Sequence, residues 1–185
     1  MKTKNQNNYF RSIVLFALAI AFSILVAPGC RKNYTPKPKS YFRIDFPEKK
    51  YMAYEPEGCP YRFDIPEYAR VVPFKGAMVE PCWINIQFPG YKGTIHMSYK
   101  TLNNNLGSHV EDIRTLAYKH IVKADDIVEH SFSFPDRRVH GIIYDIKGNT
   151  ASSLSFFATD SATHFLTGAL YFNVLPNKDS LAPVI

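Results

Sequence analysis

With 185 residues, 46% of them hydrophobic and 21% charged, the chain has ordinary globular composition. That excludes a wholly disordered protein and suits one domain with a substantial core. The net charge of +6 is concentrated at the start. Seven of the cations precede residue 40, and residues 40–185 hold 15 basic against 16 acidic residues. A near-neutral domain lacks the cationic surface that nucleic-acid binding needs, so nucleic acid is excluded as a partner.

Lys2, Lys4 and Arg11 form a basic stretch, followed by an uncharged run over 13–27 and then Pro28-Gly29-Cys30. The run fits a signal-peptide core and falls short of the ~20 residues of a membrane-spanning helix. A small residue directly before a cysteine is what lipoprotein processing requires, although Ala27 stands where the lipobox more often has leucine. The expectation is a lipoprotein signal over 1–29, with Cys30 acylated as the mature N-terminus; an uncleaved anchor helix is the alternative. Residues 30–40 carry Arg31, Lys32, Lys37 and Lys39 with Pro36 and Pro38, and read as an extended basic tether facing anionic headgroups. The single folded domain is expected over 41–185.

Strand-like segments follow at 41–46, 61–65, 69–72, 82–88 and 94–100, the last two joined by a Pro-Gly loop at 89–93. Cys59 and Cys82 are an even pair left after Cys30, each at the start of a strand-like segment. An exported protein meets an oxidising compartment, so a disulfide is expected. Two free core thiols or, further off, a catalytic thiol are the alternatives. One helix is expected over 108–124, because Ser108 and Glu111 have capping-box spacing and Val110, Ile113, Ala117, Ile121 and Ala124 mark a buried face. Strand-like segments at 127–134, 139–146, 150–158 and 164–173 are separated by compact turns, which force antiparallel neighbours. The fold class is α+β: a mostly antiparallel β-sheet covered by one or two helices, comparable by analogy to the PsbP/Mog1 sandwiches. Residues 177–181 resemble a turn entering a second helix, and the apolar end at 183–185 gives the expectation that a C-terminal helix is truncated.

The chemistry sought in the sequence is mostly absent. There is no G-x-S-x-G elbow, no G-x-G-x-x-G and no Walker pattern. Ser152 and Ser153 follow a turn, where serines commonly form the solvent face of a sheet. His109 and His120 are 11 residues apart on one helix, or ~16 Å, too far to share an ion. His96, His130, His140 and His164 lie on separate strands, and no H-x-x-x-H or C-x-x-C pair supports a metal. Asp125 and Asp126 read as a solvated turn. No catalytic residue, metal or cofactor is assigned. The aromatic content of 15% is expected to serve core and cross-strand packing, with a docking face for protein as the alternative.

The segment 34–44 (YTPKPKSYFRI), Cys59-Pro60-Tyr61, Cys82-Trp83-Ile84-Asn85 and Asn103-Asn104-Asn105-Leu106 together suggest a family. So do Lys119-His120, the stretch 148–153 (GNTASS), Thr159-Asp160-Ser161 with His164-Phe165-Leu166, and Leu170-Tyr171-Phe172 with Pro176-Asn177. Taken in order, they resemble the gliding-motility lipoprotein GldD family of the Bacteroidota across residues 30–185. Ser40 and Thr150 stand where the family pattern has glycine and alanine. The resemblance implies a non-enzymatic envelope lipoprotein, required for gliding motility and associated with type IX secretion. It also implies lipidation at Cys30, a Cys59–Cys82 pair, and other gliding or secretion envelope proteins as partners besides the membrane itself. Asn104, Asn105, His120, Asn149, Ser152 and Asp160 are candidates for a partner surface; the alternative is that they cap turns and helix ends. Arg31-Lys32 after the anchor, in place of an acidic run, points to a periplasm-facing position, with the outer and inner membranes both open. A periplasmic module binding a small ligand or peptidoglycan is the competing reading.

Overall fold

The computed structural model describes residues 13–18, 20, 44–76 and 79–185. The chain divides into two units, Met1–Lys39 and Ser40–Ile185. In the first, residues 13–18 are helical. Cys30 and the tether lie outside the described residues. Among the described residues, no helix is long and apolar enough to cross a membrane.

The second unit begins with a two-stranded sheet of β1 (Tyr51–Tyr54) and β2 (Phe63–Pro66). The expected strand at 41–46 is not seen in its described part, since residues 44–50 have no regular structure. β1 lies just beyond. A seven-stranded sheet holds the rest, in the order β3 (Arg70–Pro73), β4 (Ile84–Phe88), β5 (Gly93–Thr101), β9 (His164–Phe172), β8 (Ser152–Thr159), β7 (Val139–Gly148), β6 (Ala124–Phe134). Every pairing is antiparallel, as the short turns require.

The helix α1 (Leu106–Tyr118) is shorter than its apolar spacing predicts and starts earlier. Ser108 lies inside it, so no capping box forms. Asn105 occupies the N-cap without a side-chain cap bond, and its Oδ1 instead accepts the Asn103 N–H at 2.8 Å. After Tyr118 the chain makes a 3-10 turn over Lys119–Val122 and enters β6 at Ala124. Ile121, expected to be buried, is therefore 62% exposed. The β-branched Ile127-Val128 and a ladder with β7 that runs unbroken from Asp126 to Phe134 hold this stretch extended.

Successive side chains of a strand point to opposite faces, and Phe165 and Leu166 of β9 belong to two different cores. Phe165 packs with Tyr144, Ile146, Phe157, Leu102 and Ala117 under α1, where Val110 and Ile113 supply the expected helix face. Leu166 packs with Ile84, Ile86 and Met97 beneath Ile65 and Ala69. So α1 covers one face of the β6–β9 half, while β1–β2 and the turn after it cover the other face of the β3–β5 half. The second face of the β6–β8 half is crossed by the C-terminal segment, and the β3–β5 half keeps one face without a covering element among the described residues.

At the β7–β8 turn Gly148 adopts φ +114, and a Cβ there would strike the Lys123 carbonyl and the Asp125 N–H, at 2.9 and 2.8 Å. This turn packs against the bulge that opens β6. Beyond β9, α2 (Lys178–Leu181) forms where a second helix was expected to begin, with Asn177 Oδ1 accepting from the Asp179 and Ser180 N–H groups.

Candidate functional site

Cys59 and Cys82 form a disulfide with Cα atoms 5.6 Å apart, joining the segment after β1 to the turn before β4. Cys82 holds a left-handed backbone, φ 66. The Tyr61 hydroxyl donates to the Cys82 carbonyl at 2.8 Å. Burial, helped by nearby Tyr54, pushes the Tyr61 phenol up to about 12, so it remains a donor throughout the physiological range. Its ring stacks on Phe63 and meets Tyr99. The crosslink thus anchors the β1–β2 layer to the main sheet, and both sulfurs are consumed in it, which excludes a catalytic thiol.

The uncovered face of the β3–β5 half is polar and aromatic. His96 Nδ1 donates to Asn85 Oδ1 at 2.7 Å. Its ring lies between Phe74, edge-on at 6.4 Å, and Tyr171 at 5.5 Å. Phe74 also meets Trp83 edge-on at 5.5 Å, and the Lys100 ammonium lies 5.3 Å above the Trp83 ring while pairing with Glu80. Desolvation lowers the His96 pKa, keeping the imidazole neutral near pH 7, with Nε2 as the acceptor. Such a surface can bind through stacking and hydrogen bonds. Sequence reasoning missed it because His96 and Tyr171 lie on β5 and β9, neighbours that only the long crossover brings together.

The six candidate partner residues fall into two groups. Asn104, at φ 57, and Asn105 shape the turn from β5 into α1. Asp160 closes the adjacent β8–β9 turn, and the Leu102 N–H donates to the Thr163 carbonyl between the two turns. Asn149, Ser152 and His120 lie at the opposite end of the sheet, roughly 30 Å away at about 3.3 Å per residue along β9. Asn149 Oδ1 accepts the Lys178 N–H at 2.8 Å, tying the β7–β8 turn to α2. Ser152 is 1% exposed and donates to the Leu154 carbonyl. Ser153 is buried as well, so neither serine forms a solvent face. Asp160 experiences burial, which raises a carboxyl pKa. Hydrogen bonds from the His164, Thr163 and Ala162 N–H groups outweigh it and hold the carboxyl at about 2. Five of these side chains therefore order turns and strand ends, or lie within them, whatever else they contact.

Asp125 does not sit in a free turn: it opens β6 and pairs with Lys178 at 2.7 Å. Ser133 Oγ and His140 Nδ1 are 2.9 Å apart, the distance of a nucleophile and its base, but they are an exposed cross-strand pair in register. Among the described residues no three His, Cys, Asp or Glu side chains gather as a metal site. A cavity of about 590 Å³ lies where the C-terminal segment crosses the open face of the β6–β8 half. Ile143 and Leu154 line it from below, Leu181 and Ile185 from above, with His130 and Asp145 at its rim.

The family model described as gliding motility lipoprotein GldD matches residues 31–185. No curated protein matches the chain.

Proposed function

Because this chain belongs to the gliding motility lipoprotein GldD family, we propose that it serves gliding as a non-enzymatic binding protein of the type IX secretion machinery. It is held by lipid on Cys30 and faces the periplasm. The observation that carries this reading is the extent of the family match, which begins at the residue after Cys30 and runs through Ile185. One feature supports a binding role: the β3–β5 half of the sheet presents a polar and aromatic face that no element covers among the described residues. The tether's own cations, Arg31, Lys32, Lys37 and Lys39, meet anionic headgroups, each contributing up to about 1 kcal/mol, while the extended linker holds the domain off the bilayer.

The test is crosslinking in intact cells followed by purification from membranes, alongside export of type IX cargo in a deletion strain. Recovery of gliding or secretion envelope proteins, with cargo retained inside the deletion strain, is the expected result. A bare chain and normal export would overturn the proposal.

The cavity supports a second reading, a module for a small ligand or a peptidoglycan fragment, since about 590 Å³ lies in the range of ligand sites. Thermal shift with muropeptides checks it: a ligand that binds only the native state raises Tm. An unchanged Tm at millimolar fragment rules this reading out.

A further inference from the structure

The two edges of the main sheet differ. β3 is four residues long and ends in Pro73, a blunted edge. β6 runs for 11 residues, has no proline, lysine or arginine, and bulges only at its start. Among the described residues its sole neighbour is β7. Its outer row of N–H and C=O groups is a template for another strand.

The side chains of β6 indicate which strand. The first half is acidic, with Asp125, Asp126 and Glu129, and the second half, 131–134, is Ser-Phe-Ser-Phe. A parallel copy would set acid against acid. An antiparallel copy sets each acidic half against the neutral half of its mate. Centred on His130, such a pair places Phe132 opposite Val128 on one face and Ser131 opposite Glu129 on the other. Aromatic against β-branched and hydroxyl against carboxylate are both favourable cross-strand pairs. Centred one residue on, at Ser131, it places Phe134 opposite Val128 and Ser133 opposite Glu129. Centring on Asp125, Asp126, Ile127 or Glu129 opposes like charges, and centring on His130 or Ser131 opposes none within β6.

The flanks agree. Just past the far end of β6, the β6–β7 turn carries Arg137 and Arg138, and the antiparallel arrangement brings them toward Asp125 and Asp126 of the other copy. Phe134 is 56% exposed, and centring on Ser131 gives it Val128 of the other copy as its apolar neighbour. The acidic start of the strand therefore meets a neutral half and the arginines of the turn beyond it.

We propose that two copies of this chain pair antiparallel through β6, joining their sheets across a two-fold axis at His130 or Ser131. The partner is a second copy of the chain. Each copy buries the opposite-sense half of the same strand, which is the self-complementarity that a two-fold interface needs.

The test uses the full chain extracted in non-ionic detergent, with its mass measured by sedimentation across the micromolar range. The wild type is expected to be a dimer. His130→Glu with Ser131→Glu sets carboxylate against carboxylate in either register, since residue 131 also faces Glu129 when the pair is centred on His130. Both positions are exposed, so this variant is expected to keep the wild-type circular dichroism and Tm and to sediment as a monomer. His130→Cys and Ser131→Cys, made singly, report the centre: one of them forms a covalent dimer on mild oxidation. A monomeric wild type, or a double-glutamate variant that stays dimeric, overturns the proposal.

Discussion

Replacing Cys59 and Cys82 together by alanine removes the crosslink without leaving a lone thiol. The bond joins residues 23 apart in sequence, and the chain-entropy account puts its contribution at roughly 3 kcal/mol. For a domain of this size, with about 2.1 cal/mol/K of unfolding entropy per residue, that corresponds to a Tm loss of roughly 10 °C. The hydrogen bond donated by the Tyr61 hydroxyl is accepted by the backbone carbonyl of residue 82 and survives the substitution. So does the left-handed conformation at φ 66. Glycine adopts that conformation without a Cβ clash, so Cys59→Ala with Cys82→Gly should be about 1 kcal/mol more stable than the double-alanine variant. Urea unfolding read by the fluorescence of Trp83, the single tryptophan and the next residue in the chain, reports on the site itself. A loss under about 1 kcal/mol for the alanine pair, or no gain from glycine, would refute the reasoning.

Gly141→Ala should destabilise by about 2 kcal/mol or more, because the new Cβ meets the Phe157 carbonyl and the Phe132 ring; thermal denaturation measures it. Asp160 has its folded pKa held at about 2, below the ordinary 3.8. Its stabilisation is therefore full above about pH 4 and is lost as the pH falls toward 2. Asp160→Asn should flatten the stability-against-pH curve in that window and leave its shape above pH 5 unchanged. Asn177→Ala removes the cap of α2 and should cost about 1 kcal/mol locally, seen as faster amide exchange over 178–181 with little change in global Tm.

Much of the sheet was legible because its strands are long, β-branched or aromatic, and separated by turns that carry Pro, Gly, Asn or Asp. The strands from β4 to β9 fall within a few residues of their expected positions. The misses have local causes. β1, Tyr51–Tyr54, has no alternating polarity and exists because β2 pairs with it. The helix was overextended because Ile121 and Ala124 continue the helical spacing. Pairing with β7 won over that local pattern, and only Ala124 still packs on the core. Ser152 and Ser153 looked like surface residues, yet β8 lies inside the sheet between β7 and β9. A bulge there lets Ser152 satisfy its hydroxyl within its own strand. The disulfide followed from parity and compartment. The partner surface did not follow from motif residues, because Asn104, Asn105 and Asp160 sit at one end of the sheet and Asn149, Ser152 and His120 at the other. The aromatic group of Phe74, Trp83, His96 and Tyr171 depends on β5 and β9 being neighbours, which no spacing within the sequence encodes.

The most direct test of the account is single-cell gliding in a deletion strain, compared with the same strain carrying the intact gene or the Cys30→Ala gene. The account predicts non-gliding cells without the gene, full recovery with the intact gene, and no recovery when Cys30 is replaced although the protein is made. Cells that glide normally without the gene would contradict it.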